Sequence, residues 1–158
     1  IGFEAFVVNG AAAIIAARNE PAPYQVLFNG LLAAMSKAGL ELDNFDTDIR
    51  RILQKHTGDV FETVRSPGRA GDRWWLRDRS LLSPQVPPLS QRVRGAIRGL
   101  YQKNDQYTLD EIIGEIFKQY PGDLTPDIRD IEAFVEEYAV RRGEKWVRRE
   151  GQADGRKV

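Results

Sequence analysis

Twice in this chain, helical periodicity gives way to a short, basic stretch of strand character that carries tryptophan. The first stretch is Arg73 to Arg77 (RWWLR), and the second is Lys145 to Arg148 (KWVR). Aromatic and β-branched residues favour strands, whereas the segments before them repeat apolar residues at helical spacing. The change of period therefore predicts helices followed by a short strand in each half of the chain.

The first half predicts two helices and a hairpin. Apolar residues recur at helical spacing from Tyr24 to Met35, and a shorter helix follows over 46–56. Val60 to Arg65 (VFETVR) is typical of a strand, residues 66–71 (SPGRAG) of a turn-rich loop, and Arg73 to Arg77 of the returning strand. Helices followed by a hairpin with a glycine-rich tip are typical of a winged helix-turn-helix unit.

Residues 1–20 leave two alternatives open. The apolar residues between Phe3 and Val8 are compatible with a strand, whereas Ala11 to Arg18 (AAAIIAAR) strongly favours a helix. Gly10 separates the two halves, so the pattern predicts a break there.

The second half repeats the order after a proline-containing segment. A helix is predicted from about Leu89 to Lys103, and another begins at Thr108, where TLDE forms a capping box. A third helix is predicted with Thr125 as N-cap, Pro126 at the first helical position and Ile128 facing the core. Gly143 then allows a turn into the KWVR strand.

These elements predict a mainly α fold with small β-hairpins, arranged as a tandem winged helix-turn-helix. The first unit with its N-terminal extension covers 1–83, a proline linker covers 84–88, and the second unit covers 89–158. A weak internal echo accompanies this division, because D-I-R-x-I occurs at Asp48 to Ile52 and again at Asp127 to Ile131. Generic amphipathic helix patterns also satisfy that motif.

The composition excludes several classes of function. With no Cys and a single His, His56, the chain cannot form a disulfide, a thiolate metal site or a multi-histidine metal site. The chain has no P-loop, dinucleotide fingerprint or zinc-protease motif, so we predict no active site, cofactor or metal. No apolar run reaches about 20 residues, which argues against a membrane span. We expect a cytoplasmic protein, since the absence of Cys is compatible with a reducing compartment. We also expect a piece of a longer chain, since this one lacks an initiator Met and its only Met is Met35.

The charges are segregated although the net charge is zero. Residues 59–103 carry nine basic and four acidic side chains. A hairpin with several guanidiniums can lie along a phosphate backbone, and the preceding helix can present its polar face to a major groove. The predicted contacts to duplex DNA are Arg50, Arg51, Lys55, Arg65, Arg69, Arg73 and Arg77. The alternative is that a tryptophan is a core residue and the arginines form a solvated surface.

The second unit has the opposite charge on its third helix. Residues 104–137 carry ten acidic and two basic side chains, and that helix would repel phosphate. We therefore expect it to bind a partner protein or another part of the parent chain, through Asp127, Asp130, Glu136 and Glu137. The alternative function is accordingly a protein-interaction scaffold that uses this acidic helix and exposed aromatic residues. Nucleic-acid contact by this unit would have to come from its basic C-terminal strand and tail.

Two segments carry a resemblance to a known family. TDIRRILQKHTGDVFE followed by DRWWLRD, and LTPDIRDIEAFVEEYA followed by EKWVRRE, resemble the accessory C-terminal region of bacterial and archaeal DNA methyltransferases of the amino-methylating class (N6-adenine or N4-cytosine). The catalytic [DNS]-P-P-[YFW] and methyl-donor F-x-G-x-G motifs of that family are absent. The resemblance implies a non-catalytic region that positions DNA or a partner, within an enzyme of restriction or phage defence.

Overall fold

A computed structural model describes residues 2–39, 43–65, 72–82 and 84–149 of the chain. The chain divides into two units, Ile1–Pro87 and Pro88–Val158, each with its own hydrophobic core. The boundary lies inside the proline-containing segment. Within unit 1, the Asn19 side-chain amide donates a 2.6 Å hydrogen bond to the Val86 carbonyl, which anchors the end of this segment to unit 1.

Unit 1 consists of three helices and a small antiparallel sheet. Its elements are helix α1 (Phe3–Arg18), strand β1 (Ala22–Pro23), helix α2 (Tyr24–Lys37), helix α3 (Phe45–Lys55), strand β2 (Phe61–Arg65), strand β3 (Asp72–Leu76) and a short 3-10 helix (Arg79–Leu81). The sheet order is β1-β3-β2, so the last strand lies in the middle. Phe61 and Leu76 face each other across the hairpin and are both buried.

Residues 3–18 form one continuous helix, so the predicted break at Gly10 is wrong, as is the strand alternative for the first residues. Gly10 lies inside α1 because that helix packs closely against α2. A Cβ built at Gly10 would lie only 2.7 Å from Leu31 Cδ2. The helix ends at Asn19, which adopts a left-handed conformation with φ of 51°.

Unit 2 has the same order of α-helices and strands as unit 1, and differs in the place of its short 3-10 helix. Its elements are helix α4 (Leu89–Lys103), strand β4 (Gln106–Thr108), helix α5 (Leu109–Gln119), a short 3-10 helix (Gly122–Leu124), helix α6 (Ile128–Tyr138), strand β5 (Ala139–Arg142) and strand β6 (Lys145–Arg148). The sheet order is β4-β6-β5, which again places the last strand in the middle. The predicted capping box is confirmed, because Thr108 and Glu111 exchange both of its hydrogen bonds.

The start of α6 differs from the prediction. Its N-cap is Asp127, whose carboxylate accepts a 2.7 Å hydrogen bond from the Arg129 backbone N–H. The Thr125 hydroxyl instead donates to the Tyr120 carbonyl at 2.7 Å. Ile128 then falls on the outer face and is 48% exposed, so its predicted burial is also wrong.

The two central strands are equivalent in register. Trp74 of β3 pairs with Ala22 on one side and Thr63 on the other, and Trp146 of β6 pairs with Tyr107 and Arg141. In each unit the tryptophan follows directly after the residue that pairs with the N-cap of the second helix, Pro23 or Thr108. The units therefore share a fold and not merely a composition.

The D-I-R-x-I echo does not coincide with this equivalence. Ile49, Ile52 and Leu53 are the buried positions in the middle of α3, and in α6 the same spacing is occupied by Ile131, Phe134 and Val135. Packing therefore matches Ile49 with Ile131, whereas the motif would match it with Ile128. The echo reflects helical periodicity, because its two copies lie three residues apart in the shared fold.

The fold is thus mainly helical with small antiparallel sheets, as predicted. Strands β1, β4 and β5 were not predicted from the sequence.

Candidate nucleic-acid interface

Helix α3 presents a polar face to solvent because its apolar residues all point inward. Phe45, Ile49, Ile52 and Leu53 are buried in the core of unit 1. The exposed residues are Asp46, Thr47, Arg50, Arg51, Gln54 and Lys55. This face includes the three α3 residues predicted to contact DNA.

Arg50 belongs to a cluster that joins α3 to the start of α2. Its Nε lies 3.3 Å from both carboxylate oxygens of Asp46, and its guanidinium carbon lies 3.9 Å from the centre of the Tyr24 ring. The Tyr24 hydroxyl donates a short hydrogen bond to Asp46 Oδ1. The cluster therefore contains one cation, one carboxylate and one phenol, each in contact with the other two.

The protonation of this cluster follows from its geometry. Burial, with the hydrogen bond to Asp46 next in size, raises the pKa of the Tyr24 hydroxyl well above its usual value. The same hydrogen bond, together with Arg50, lowers the pKa of Asp46. At neutral pH the hydroxyl is a donor and the carboxylate is ionised, so Arg50 is held in place by a charged partner.

The other two cations of α3 also have carboxylate partners. Arg51 Nη2 lies 3.7 Å from Asp48 Oδ1, and Lys55 Nζ lies 3.1 Å from Glu4 Oε2. The side chains of Arg51 and Lys55 are 61% and 58% exposed. Exposed pairs of this kind contribute about 0–1 kcal/mol, so phosphate can replace the carboxylates at little cost. The Lys55 pair was not predicted from the sequence, because Glu4 lies in α1, far away along the chain, whereas Arg51 and Asp48 are only three residues apart within α3.

His56 links the end of α3 to α1 and contacts two carboxylates. It is the C-cap residue of α3, with Nε2 2.8 Å from Glu4 Oε2 and Nδ1 3.4 Å from Asp59 Oδ2. Hydrogen bonds from His56 and Lys55 lower the pKa of Glu4. The contacts of His56 and Lys55 with Glu4 therefore fasten the end of α3 to α1.

The hairpin arginines differ in their surroundings. Arg65 ends β2, is exposed, and pairs across the sheet with Asp72. Arg73 is half-buried and pairs with Pro23 and Val64 on either side of β3. The Arg77 guanidinium donates to the Gly58 carbonyl, which ties it to the loop after α3. Arg69 lies outside the described residues.

The two tryptophans of β3 are packing residues. Both are half-buried and contact the core of unit 1, which agrees with the alternative that a tryptophan is a core residue. The Trp74 ring lies 6.3 Å from that of Tyr24, and Arg79 lies over Trp75 at 5.1 Å. Arg79 also contacts Glu62 at 3.0 Å. The tryptophans hold the hairpin against the helices, and their rings are only partly accessible.

Two of the four acidic residues predicted to bind a partner make structural contacts within unit 2. Asp127 is the N-cap of α6, and Glu137 forms an ion pair with Arg94 of α4 at 2.9 Å. Asp130 is half-buried, and Glu136 is exposed. Asp127 and Glu137 are therefore engaged by groups of unit 2 itself.

Other kinds of site are absent from the part of the chain that the structure describes. Residues 2–39, 43–65, 72–82 and 84–149 contain no group of three or more metal-binding side chains. None of the described helices has the length and apolar character that crossing a membrane requires.

Comparison with known proteins assigns neither a family nor a function to the chain. No family model, no curated protein and no solved structure matches this chain.

Proposed function

We propose that the chain is a tandem winged-helix module that binds duplex DNA through α3 and the β2–β3 hairpin of unit 1. The observation that carries the proposal is the element order of unit 1, helix-strand-helix-helix-strand-strand with the last strand central. Winged helix-turn-helix units have this order, and in helix-turn-helix proteins the second helix of the motif enters the major groove. Here that helix is α3.

The polar face of α3 supports this role. Thr47, Arg50, Arg51 and Gln54 are exposed and offer donors and acceptors of several kinds. Four buried apolar residues fasten the helix from behind, so its outer face is presented on a rigid element. The carboxylate beside Arg50 is exposed and the one beside Arg51 is half-buried, and charge-assisted bonds to phosphate can compete with such pairs.

The hairpin supports the same role through its charge and position. β2 begins six residues after the end of α3, and the exposed Arg65 is the last residue of β2. Arg69 falls between the two strands in the sequence, outside the described residues, and Arg73 lies on β3. Guanidiniums at a hairpin tip suit phosphate oxygens and sugar edges, which position a protein on DNA without reading its sequence.

The parent protein that we propose is a DNA-modifying or defence protein, in which this region positions DNA for a catalytic domain. This part of the proposal rests on the resemblance to the accessory region of amino-methylating DNA methyltransferases. It agrees with the absence of catalytic and cofactor motifs from the sequence.

The alternative is a protein-interaction scaffold that uses the acidic residues of α6. It has less support, since Asp127 caps its own helix and Glu137 is paired with Arg94. The exposed Ile128 is the feature of α6 that best suits a protein partner.

The test is fluorescence anisotropy with a short duplex of arbitrary sequence, at about 50 and 200 mM salt. The wild-type chain is compared with Arg51→Ala/Arg65→Ala, and with Lys103→Ala/Lys118→Ala as a control that removes two exposed cations from unit 2. Each lost phosphate contact should reduce the slope of log affinity against log salt by about 0.9. We expect the test variant to lose about 2 in slope and the control to lose nothing. Absence of salt-sensitive binding by the wild type would refute the proposal.

A further inference from the structure

The basic residues at the end of unit 2 fall into two groups with different surroundings. Arg148 Nη2 contacts Asp105 Oδ1 at 2.8 Å, and its Nη1 donates to the Tyr101 carbonyl at 2.9 Å. The Arg149 guanidinium donates to the Glu136 carbonyl at 3.1 and 2.8 Å. Arg148 holds β6 to α4, and Arg149 donates to a carbonyl in the last turn of α6 that has no partner within the helix. Both guanidiniums thus have a structural role within unit 2.

The second group lies at the tip of the β5–β6 hairpin. Arg141, Arg142 and Lys145 are exposed and flank the turn at Gly143, which has a positive φ of 66°. No ion pair joins any of the three to a carboxylate within the described residues 84–149. One acidic residue, Glu144, lies at the same turn. With three cations and one anion, the tip carries a net charge of +2.

The pairing of Arg142 with Lys145 is unfavourable for the hairpin alone. The two residues face each other across the strands, and like charges directly opposite each other destabilise a sheet. Arg141 makes one polar contact, from Nε to the Gly143 carbonyl at 3.1 Å, which leaves the outer edge of its guanidinium for other contacts. On its other side Lys145 pairs with Thr108, and after the hydrogen bond from the Thr108 backbone the charge of Lys145 helps to lower the pKa of Glu111 in α5. Lys145 therefore has one carboxylate nearby, which offsets part of the charge at this turn.

We propose that the tip of the β5–β6 hairpin is a second phosphate-binding surface for duplex DNA, formed by Arg141, Arg142 and Lys145. This proposal rests on the DNA-binding function proposed for unit 1 and adds a contact from unit 2. The contact involves the hairpin alone, because α6 carries carboxylates and an exposed Ile128 on its outer side. Unit 2 therefore contributes affinity through the backbone of the DNA and no reading of bases.

The experiment uses the whole 158-residue chain and the same duplex. Arg142→Ala/Lys145→Ala is compared with the wild type, with Lys103→Ala/Lys118→Ala, and with the charge-preserving Arg142→Lys/Lys145→Arg. Loss of two phosphate contacts lowers the salt slope by about 1.8, so the ratio of dissociation constants between about 200 and 50 mM salt should fall about tenfold. We expect this fall for the alanine hairpin variant and no fall for the other two.

The outcomes separate this inference from the function proposed for unit 1. If Arg51→Ala/Arg65→Ala weakens binding while the hairpin variant behaves like its control, the inference is overturned and the role of unit 1 stands. If the hairpin variant weakens binding and the unit 1 variant does not, the inference stands and the interface assigned to unit 1 is wrong. No binding by the wild type overturns both. Unchanged circular dichroism of the variants shows that the losses do not come from unfolding.

Discussion

Gly10 of α1 lies directly against Leu31 of α2, with room for hydrogen but not for a methyl group. A Cβ at position 10 would approach Leu31 Cδ2 to 2.7 Å, and Leu31 is itself buried at 1% exposure. Since the two helices form one side of the core of unit 1, this contact sets how closely they pack.

Gly10→Val should therefore destabilise unit 1. Overpacking a core typically costs about 1–3 kcal/mol, and we expect a loss in this range in the free energy of unfolding measured with urea. The control is Ala13→Val on the exposed side of the same helix, which should cost about 0.5 kcal/mol through helix propensity alone. Equal effects of the two substitutions would show that the helices can separate to admit a side chain.

Glu4 should make the stability of unit 1 sensitive to acid. Hydrogen bonds from His56 and Lys55 lower its pKa in the folded state below the ordinary 4.5, so the unfolded state binds the proton more readily. The stabilisation is present above pH 4.5 and is lost as the pH falls through the lowered pKa. Urea unfolding between pH 6 and 3 should thus show a shallower acid dependence for Glu4→Gln than for the wild type. Asp43→Asn, which removes an exposed carboxylate near the start of α3, should keep the wild-type slope.

Asp127 should contribute to stability as an N-cap and not to partner binding. Asp127→Ala should lower the free energy of unfolding of unit 2 by about 1 kcal/mol, since it removes the acceptor for the Arg129 N–H. Asp127→Ser should restore most of the loss, because serine caps helices about as well. If Asp127→Ala and Asp127→Ser weakened the binding of a partner protein to the same degree, the charge of Asp127 would instead have a role in binding.

Tyr101 should make the stability of unit 2 decrease at alkaline pH. Burial raises its pKa to about 12, and its hydroxyl donates to the Trp146 carbonyl at 2.8 Å. The folded state thus favours the neutral phenol, and this stabilisation, complete below pH 10, is lost as the pH rises through about 12.

Tyr101→Phe should cost about 1–3 kcal/mol at neutral pH, because it leaves a buried carbonyl without its partner. Its unfolding curve should also depend less on pH between 10 and 12. Tyr138→Phe is the control, since the Tyr138 hydroxyl only accepts a bond from the partly exposed Arg98. A Tyr138→Phe loss as large as that of Tyr101→Phe would contradict the assignment.

Elements whose defining residues lie close together along the chain were predicted from the sequence alone. The apolar spacing from Tyr24 to Met35 corresponds to α2, and Thr108 with Glu111 forms the capping box of α5. The strands around the SPGRAG loop appear as β2 and β3 within a residue or two. In each of these cases, the residues that define the element are close neighbours along the chain, so local preference and burial favour the same conformation.

Features that depend on distant residues were not predicted. β1 and β4 have two and three residues, too few to show alternation, and they exist because β3 and β6 supply hydrogen-bond partners from more than 35 residues away. The same reason applies to Gly10, which has a low helix propensity of its own, because only the fold shows that it lies at a close contact with Leu31 of α2. The same distinction holds for the candidate site. The sequence alone identified the arginines of α3 and of the hairpins and the positive charge that they carry. Tertiary packing decided which of these cations has a distant carboxylate partner, because packing alone brings distant charges within a few ångströms. Lys55, for example, lies beside Glu4, whereas Arg142 lies exposed at a turn.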